Sequence, residues 1–210
     1  NRAAYPLTVR ALEQEGPEAA RERLHDTLLL LLCIGLPAAA GLTLLAGPVA
    51  QVVVAPEFTG TAAAVIPLIT VAALLAGLKA YFVDIGFQLH GDTRQQAWVM
   101  LSAAGLNVLL NIVLIPRVGL MGAVWSTVAV YAVALLLSVM LVRRSFRLPA
   151  LRPVLLRPVL ATAGMVLLLI VLPQPAGITD LLLVIGAAAL AYALLLGLQF
   201  PTLVRRLLRM

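Results

Sequence analysis

Charge is scarce in this sequence: 11% of its 210 residues are Asp, Glu, Lys or Arg, whereas a soluble domain carries about a quarter. That scarcity excludes a solvated globular surface over most of the chain. Cysteine occurs once, at Cys33 within an apolar run, which excludes an intrachain disulfide and a thiolate metal cluster. Histidine occurs twice, at His25 and His90 in separate polar connectors, so neither a two-His helix motif nor a Cys/His zinc spacing is available. A Gly-rich phosphate loop with its Lys is missing, and so is a Gly-x-Ser-x-Gly elbow. The carboxylates Glu13, Glu15, Glu18 and Glu22 cluster in a charge-dense connector and read as a solvated surface rather than acid/base machinery. An enzyme is hard to build from this inventory, and no cofactor or metal is expected.

What the chain has instead is apolar length. Hydrophobic residues make up 62% of it, the mean hydropathy is +1.06, and charge-poor runs recur, each of about 20 residues and long enough to cross ~30 Å of hydrocarbon. The runs are continuously apolar and rich in Leu and Ala, without strand alternation. Only helices satisfy their own backbone in lipid with such a pattern. The expected fold class is therefore all-α, a polytopic transmembrane helix bundle whose first partner is the lipid bilayer. The net charge of +6 would point to nucleic acid in a soluble protein. Here the arginines flank membrane spans, so the basic balance is topological and no nucleic-acid partner is expected.

Residues 1–8 read as the end of a span, and an amphipathic connector over residues 9–26 carries the densest charge, with Gly16-Pro17 as a break. Because the sequence opens on Asn1 and lacks the basic start and apolar core of a signal peptide, it is expected to continue a longer protein. Six spans are expected: Thr27–Val54, with Pro37 and Pro48 predicting a kink or break before a loop at Pro56–Gly60; Ala62–Phe87; Ala97–Ile115; Leu120–Val142; Val154–Leu172; and Asp180–Phe200. A polar connection, His90–Gln96, joins the second span to the third, and Pro116–Gly119 turns the third into the fourth.

Arginine placement tests this map. With residues 9–26 inside, thirteen arginines fall on the cytoplasmic side, among them Arg2, Arg10, Arg94, Arg143, Arg144, Arg147, Arg152, Arg157, Arg205, Arg206 and Arg209; only Arg117 is left outside. The asymmetry requires an even number of spans, with both ends of the chain cytoplasmic. The Pro149–Pro153 segment reads as a linker, dividing the chain into residues 1–148 and a plainer apolar pair, 149–210.

Four polar residues in the spans are candidates for substrate contact. Lys79, the only lysine, and Asp84 lie in the second span. At about 100° per residue they stand roughly 140° apart on an α-helix, so they are not expected to form a helical ion pair. Lys79 either snorkels to the interface or lines a wet cavity and meets an anionic group; Asp84, nearer the helix end, is read first as interfacial. Asn107 and Asn111 share one face of the third span, and either bond neighbouring helices together or face a cavity. Ser126 and Thr127 on the next helix either meet them or bond back to their own carbonyls.

The order of Tyr5-Pro6, the charged connector, Pro37, Val65-Ile66-Pro67-Leu68-Ile69 and Gly77-Leu78-Lys79-Ala80-Tyr81-Phe82 resembles the polysaccharide transporter branch of the MATE-like flippase superfamily. Its strongest part is Asn107 to Pro116, with Asn-x-x-x-Asn and Ile-Pro, followed by Gly119, Gly122-Ala123 and Ser126-Thr127. The resemblance implies a transporter of two six-helix lobes, often with two further helices, in a bacterial inner membrane. This chain would supply four spans of the C-terminal lobe and the extra pair, its partners being the N-terminal lobe and a polyprenyl-pyrophosphate-linked oligosaccharide moved by alternating access. Lys79 would meet the pyrophosphate, with Asp84, Asn107 and Asn111 as the remaining candidate substrate contacts. Two alternatives stay open: a cation-coupled multidrug exporter of the same superfamily, and a membrane scaffold whose polar residues only hold helices together.

Overall fold

In the computed structural model, which describes residues 4–145, 148 and 151–199, the charged connector is helical from its start. Helix α1 covers Ala4–Glu15, Gly16 reverses the backbone at φ +93°, and α2 runs Pro17–Leu44. The break sits where a residue without Cβ takes the left-handed conformation easily, and Pro17 follows in the first turn, where its missing N–H is not needed. Glu18 lies at the positive end of α2 and pairs with Arg21.

The helix continues through Pro37 and ends at Leu44; Leu45 departs from helical geometry, and α3 takes over at Ala46–Val53. The expected interruption of the first span is therefore at Leu45. Pro48 lies in the first turn of α3, where it displaces no hydrogen bond. A single 3₁₀ turn, Pro56–Phe58, leads into α4 at Thr59–Leu78, so much of the expected loop is already helical. One π-helical turn, Lys79–Val83, connects α4 to α5 at Asp84–Leu89. Helix α6 spans Thr93–Val118, which shortens the expected connection to His90–Asp92.

Gly119 alone separates α6 from α7 (Leu120–Ser145). Its φ of +59° and ψ of −140° lie in a region essentially closed to residues with a Cβ, which is why one glycine suffices where four turn residues are expected. Helix α8 is Leu151–Val171 and α9 is Ile178–Gln199. Pro149, Ala150, Arg2, Arg147, Arg205, Arg206 and Arg209 lie outside the described residues.

Among the described residues, six helical segments are long and apolar enough to cross a membrane, matching the expected number, and no strand is present. The chain is an all-α membrane protein. Many large apolar side chains on the spans are exposed, including Leu101, Leu109 and Ile112 on α6 and Leu182 and Leu190 on α9. Lipid, not water, is the solvent that fits them.

Two compact units emerge, Asn1–Leu31 with Leu68–Leu151, and Leu32–Pro67 with Arg152–Met210. In the first, α5 and the π turn pack against α6, α7 and α1, burying Phe82, Val83, Ile85 and Phe87. In the second, Leu45, Ala161, Met165, Leu169, Leu181, Ala188 and Tyr192 form a core shared by α8, α9 and the Leu45 break. Gly164 lets α8 approach Leu195 of α9 more closely than any side chain there would permit.

Candidate functional site

The π turn decides the chemistry of the second span. Its closing bond runs from the backbone N–H of Asp84 to the carbonyl of Lys79, five residues back. Residue i+5 then sits over residue i, as i+4 does in an α-helix. The Lys79 ammonium consequently reaches both carboxylate oxygens of Asp84, at 2.9 and 2.8 Å. This corrects the expectation that the two stand on different faces. That reading assumed α-helical geometry throughout the span, and the one turn that departs from it lies between the two residues. Lys79 is 8% exposed and Asp84 7%, so the Lys79 ammonium is engaged inside the protein rather than extended to an interface, and the Asp84 carboxylate is shielded by protein. Each charge is compensated by the other where it would otherwise be costly.

A cavity of about 560 Å³ in the first unit is lined by Lys79, Asp84, Asn107, Thr127 and Tyr131, with Ala76, Ala80, Ala103, Ala104 and Ala134 as small-residue walls. Asn107 and Asn111 are joined by a 3.0 Å bond from the Asn111 amide to the Asn107 oxygen. The Ser126 hydroxyl donates across to Asn111 and also lies 2.9 Å from the Ala123 carbonyl, while Thr127 bonds back to that carbonyl at 2.9 Å. The asparagine pair thus divides: Asn107 faces the cavity, and Asn111 links α6 to α7 through Ser126. Lys79, Asp84 and Asn107 come together around one space; Asn111 stands behind them.

Tyr131 is the polar lining residue that sequence reasoning passed over. A signal was present, since Thr127, Tyr131 and Ala134 recur at helical spacing on α7 and share a face. The π turn left a different clue, two opposite charges five apart in a span that admits few charges.

A second cavity, about 360 Å³, lies in the second unit between α2, α3, α8 and α9, and its lining, including Ile34, Leu42, Val49, Leu169 and Ile185, is almost wholly apolar. It suits an alkyl chain and offers nothing to an ion.

No family model and no curated protein matches the chain. Among solved structures it is similar to the lipid II flippase MurJ in an inward closed conformation, with a TM-score of 0.79 and 14% identity. The match covers 96% of this chain and 43% of that one. At this identity the likeness is one of fold, and the chain spans less than half the length of the protein it matches.

Proposed function

We propose that this chain is the C-terminal portion of a transporter that flips a polyprenyl-pyrophosphate-linked oligosaccharide across a bacterial cytoplasmic membrane by alternating access, for surface polysaccharide export. The observation that carries the reading is the fold it shares, over 96% of its length, with a flippase of a lipid-linked substrate. Chemistry supports it. A pyrophosphate crossing hydrocarbon needs a cationic group in a sheltered cavity, and the Lys79 ammonium lines one. The Asn107 amide and the Thr127 and Tyr131 hydroxyls on the same walls are donors and acceptors of the kind that sugar hydroxyls require. Both ends of the chain are cytoplasmic in this reading, and the N-terminal lobe comes from the rest of the protein.

A cation-coupled drug exporter fits less well, because the carboxylate such a site would offer, Asp84, is held by Lys79. The test is export of surface polysaccharide by the full-length protein at matched expression. Lys79→Ala abolishes export and Lys79→Arg retains a substantial part of it; equal, wild-type export from both refutes the assignment of Lys79.

A further inference from the structure

The bond between Lys79 and Asp84 poses a problem for any anionic ligand, because the cation it needs is already occupied. Both carboxylate oxygens lie within 2.9 Å of one ammonium. Two oxygens of a phosphoryl group would present the same arrangement. Among the described residues, no other charged side chain lines the cavity, so the empty site is electrically balanced. An anion entering it gains a full ion pair only by taking the place of Asp84.

The backbone provides a route for that exchange. Asp84 meets Lys79 only because one turn is paired five residues apart. If the turn shifts to α-helical pairing, Val83 rather than Asp84 donates to the Lys79 carbonyl. The two side chains then separate to roughly 140° around the axis. Asp84 lies five residues from the helix end at Leu89, roughly 7.5 Å along the axis, so a released carboxylate has the polar His90–Asp92 connection and its water within reach. Single π turns inside α-helices are rare and frequently mark functional positions.

We infer that Lys79 and Asp84 form an exchangeable latch, in which Asp84 holds the ammonium while the cavity is free and yields it to a pyrophosphate oxygen of the ligand as the π turn relaxes. This rests on the flippase reading for the identity of the ligand. The latch itself depends only on an anion competing with Asp84. It gives the empty cavity a neutral resting state and makes the helix around residues 79–84 respond to occupancy.

The test uses purified full-length protein in lipid nanodiscs, with inorganic pyrophosphate in one arm and polyprenyl pyrophosphate in the other, so that a free anion and a lipid-borne one are distinguished. Asp84→Asn removes the competitor and binds pyrophosphate about tenfold more tightly than wild type, and adding Lys79→Ala abolishes that gain. Since Asp84→Asn leaves a buried cation and risks misfolding, the wild type is followed too. The infrared carboxylate band of Asp84, assigned against Asp84→Glu, shifts when polyprenyl pyrophosphate saturates the protein. A folded Asp84→Asn that binds neither ligand more tightly than wild type overturns the latch, as does a wild-type band that stays fixed at saturation. Either result with polysaccharide export still dependent on Lys79 leaves the flippase reading standing, whereas tightened binding by a protein that exports nothing upholds the latch and rejects that reading.

Discussion

Tyr192 donates its hydroxyl to the backbone carbonyl of Cys33 at 2.7 Å, the carbonyl that Pro37, four residues on and lacking an N–H, leaves without its helical donor. A proline inside a span is tolerated when a neighbouring helix satisfies the freed group, and here α9 does so for α2. Tyr192→Phe is therefore expected to cost about 1–3 kcal/mol, the range for stranding a buried polar group. In a Pro37→Ala background the α2 backbone supplies its own donor, and the same change is expected to cost less than half as much. A double-mutant cycle on unfolding in mild detergent reads the difference; equal costs in the two backgrounds would show that the tyrosine contributes through packing alone.

Gly122 sits against the backbone of the preceding helix. A Cβ built on it would lie 2.5 Å from the Leu114 carbonyl oxygen and 2.9 Å from the Ile115 nitrogen, atoms that cannot move without disturbing α6. Gly122→Ala is expected to lower stability by about 1–3 kcal/mol, as overpacking does elsewhere. Gly105, on α6, has nothing within 4 Å of the same position, so Gly105→Ala is expected to be neutral or slightly favourable through helix propensity. Thermal denaturation of the two variants side by side checks the pair. Equal behaviour would mean that the α6–α7 hairpin can open without penalty.

Apolar run length predicts the six spans because hydrocarbon thickness sets a minimum that few other constraints disturb. The polar details follow different physics. The Leu45 break follows Leu44, whose carbonyl Pro48, four residues on, leaves without a helical donor, whereas α2 runs unbroken through Pro37 because Tyr192 satisfies the Cys33 carbonyl that Pro37 frees. The α6–α7 turn contracts to Gly119 because its backbone angles need no second residue. Most consequential is the change of register between residues 79 and 84. Sequence periodicity is read on one assumed helical repeat, and a single wider turn reverses the conclusion about Lys79 and Asp84. Buried charge would have been the better guide, since two opposite charges so close in a span have a strong reason to meet.

Asn111 and Ser126 join α6 to α7 by side chains alone. Asn111→Leu and Ser126→Ala are each expected to cost about 0.6–2 kcal/mol, the span of measured interhelical polar bonds in membranes. The coupling should be clear in a cycle of the two, because each removes the other's partner. Asn107→Leu is expected to differ in kind. It removes a cavity wall group and so reduces export more than stability. A double variant, Asn107→Leu with Asn111→Leu, that stays folded and exports normally would assign both amides to packing.

The Lys79–Asp84 pair separates stability from transport most sharply. Lys79→Ala or Asp84→Ala alone leaves an unpartnered charge in a site less than a tenth exposed, and breaking buried pairs in this way costs about 3–5 kcal/mol. Replacing both, as Lys79→Met with Asp84→Leu, removes the two desolvation penalties together. Such apolar replacements are often neutral or stabilising, by about 1–4 kcal/mol, and the surrounding helices are already apolar. The double variant is therefore expected to unfold at or above the wild-type midpoint while both single variants fall well below it. Its export, however, is expected to be abolished, because no cation remains in the cavity. Measuring detergent unfolding and surface polysaccharide on the same three variants distinguishes the roles. Export preserved in the stable double variant would make the pair a structural fastener, and export lost from a protein as stable as wild type would make its charge the working part.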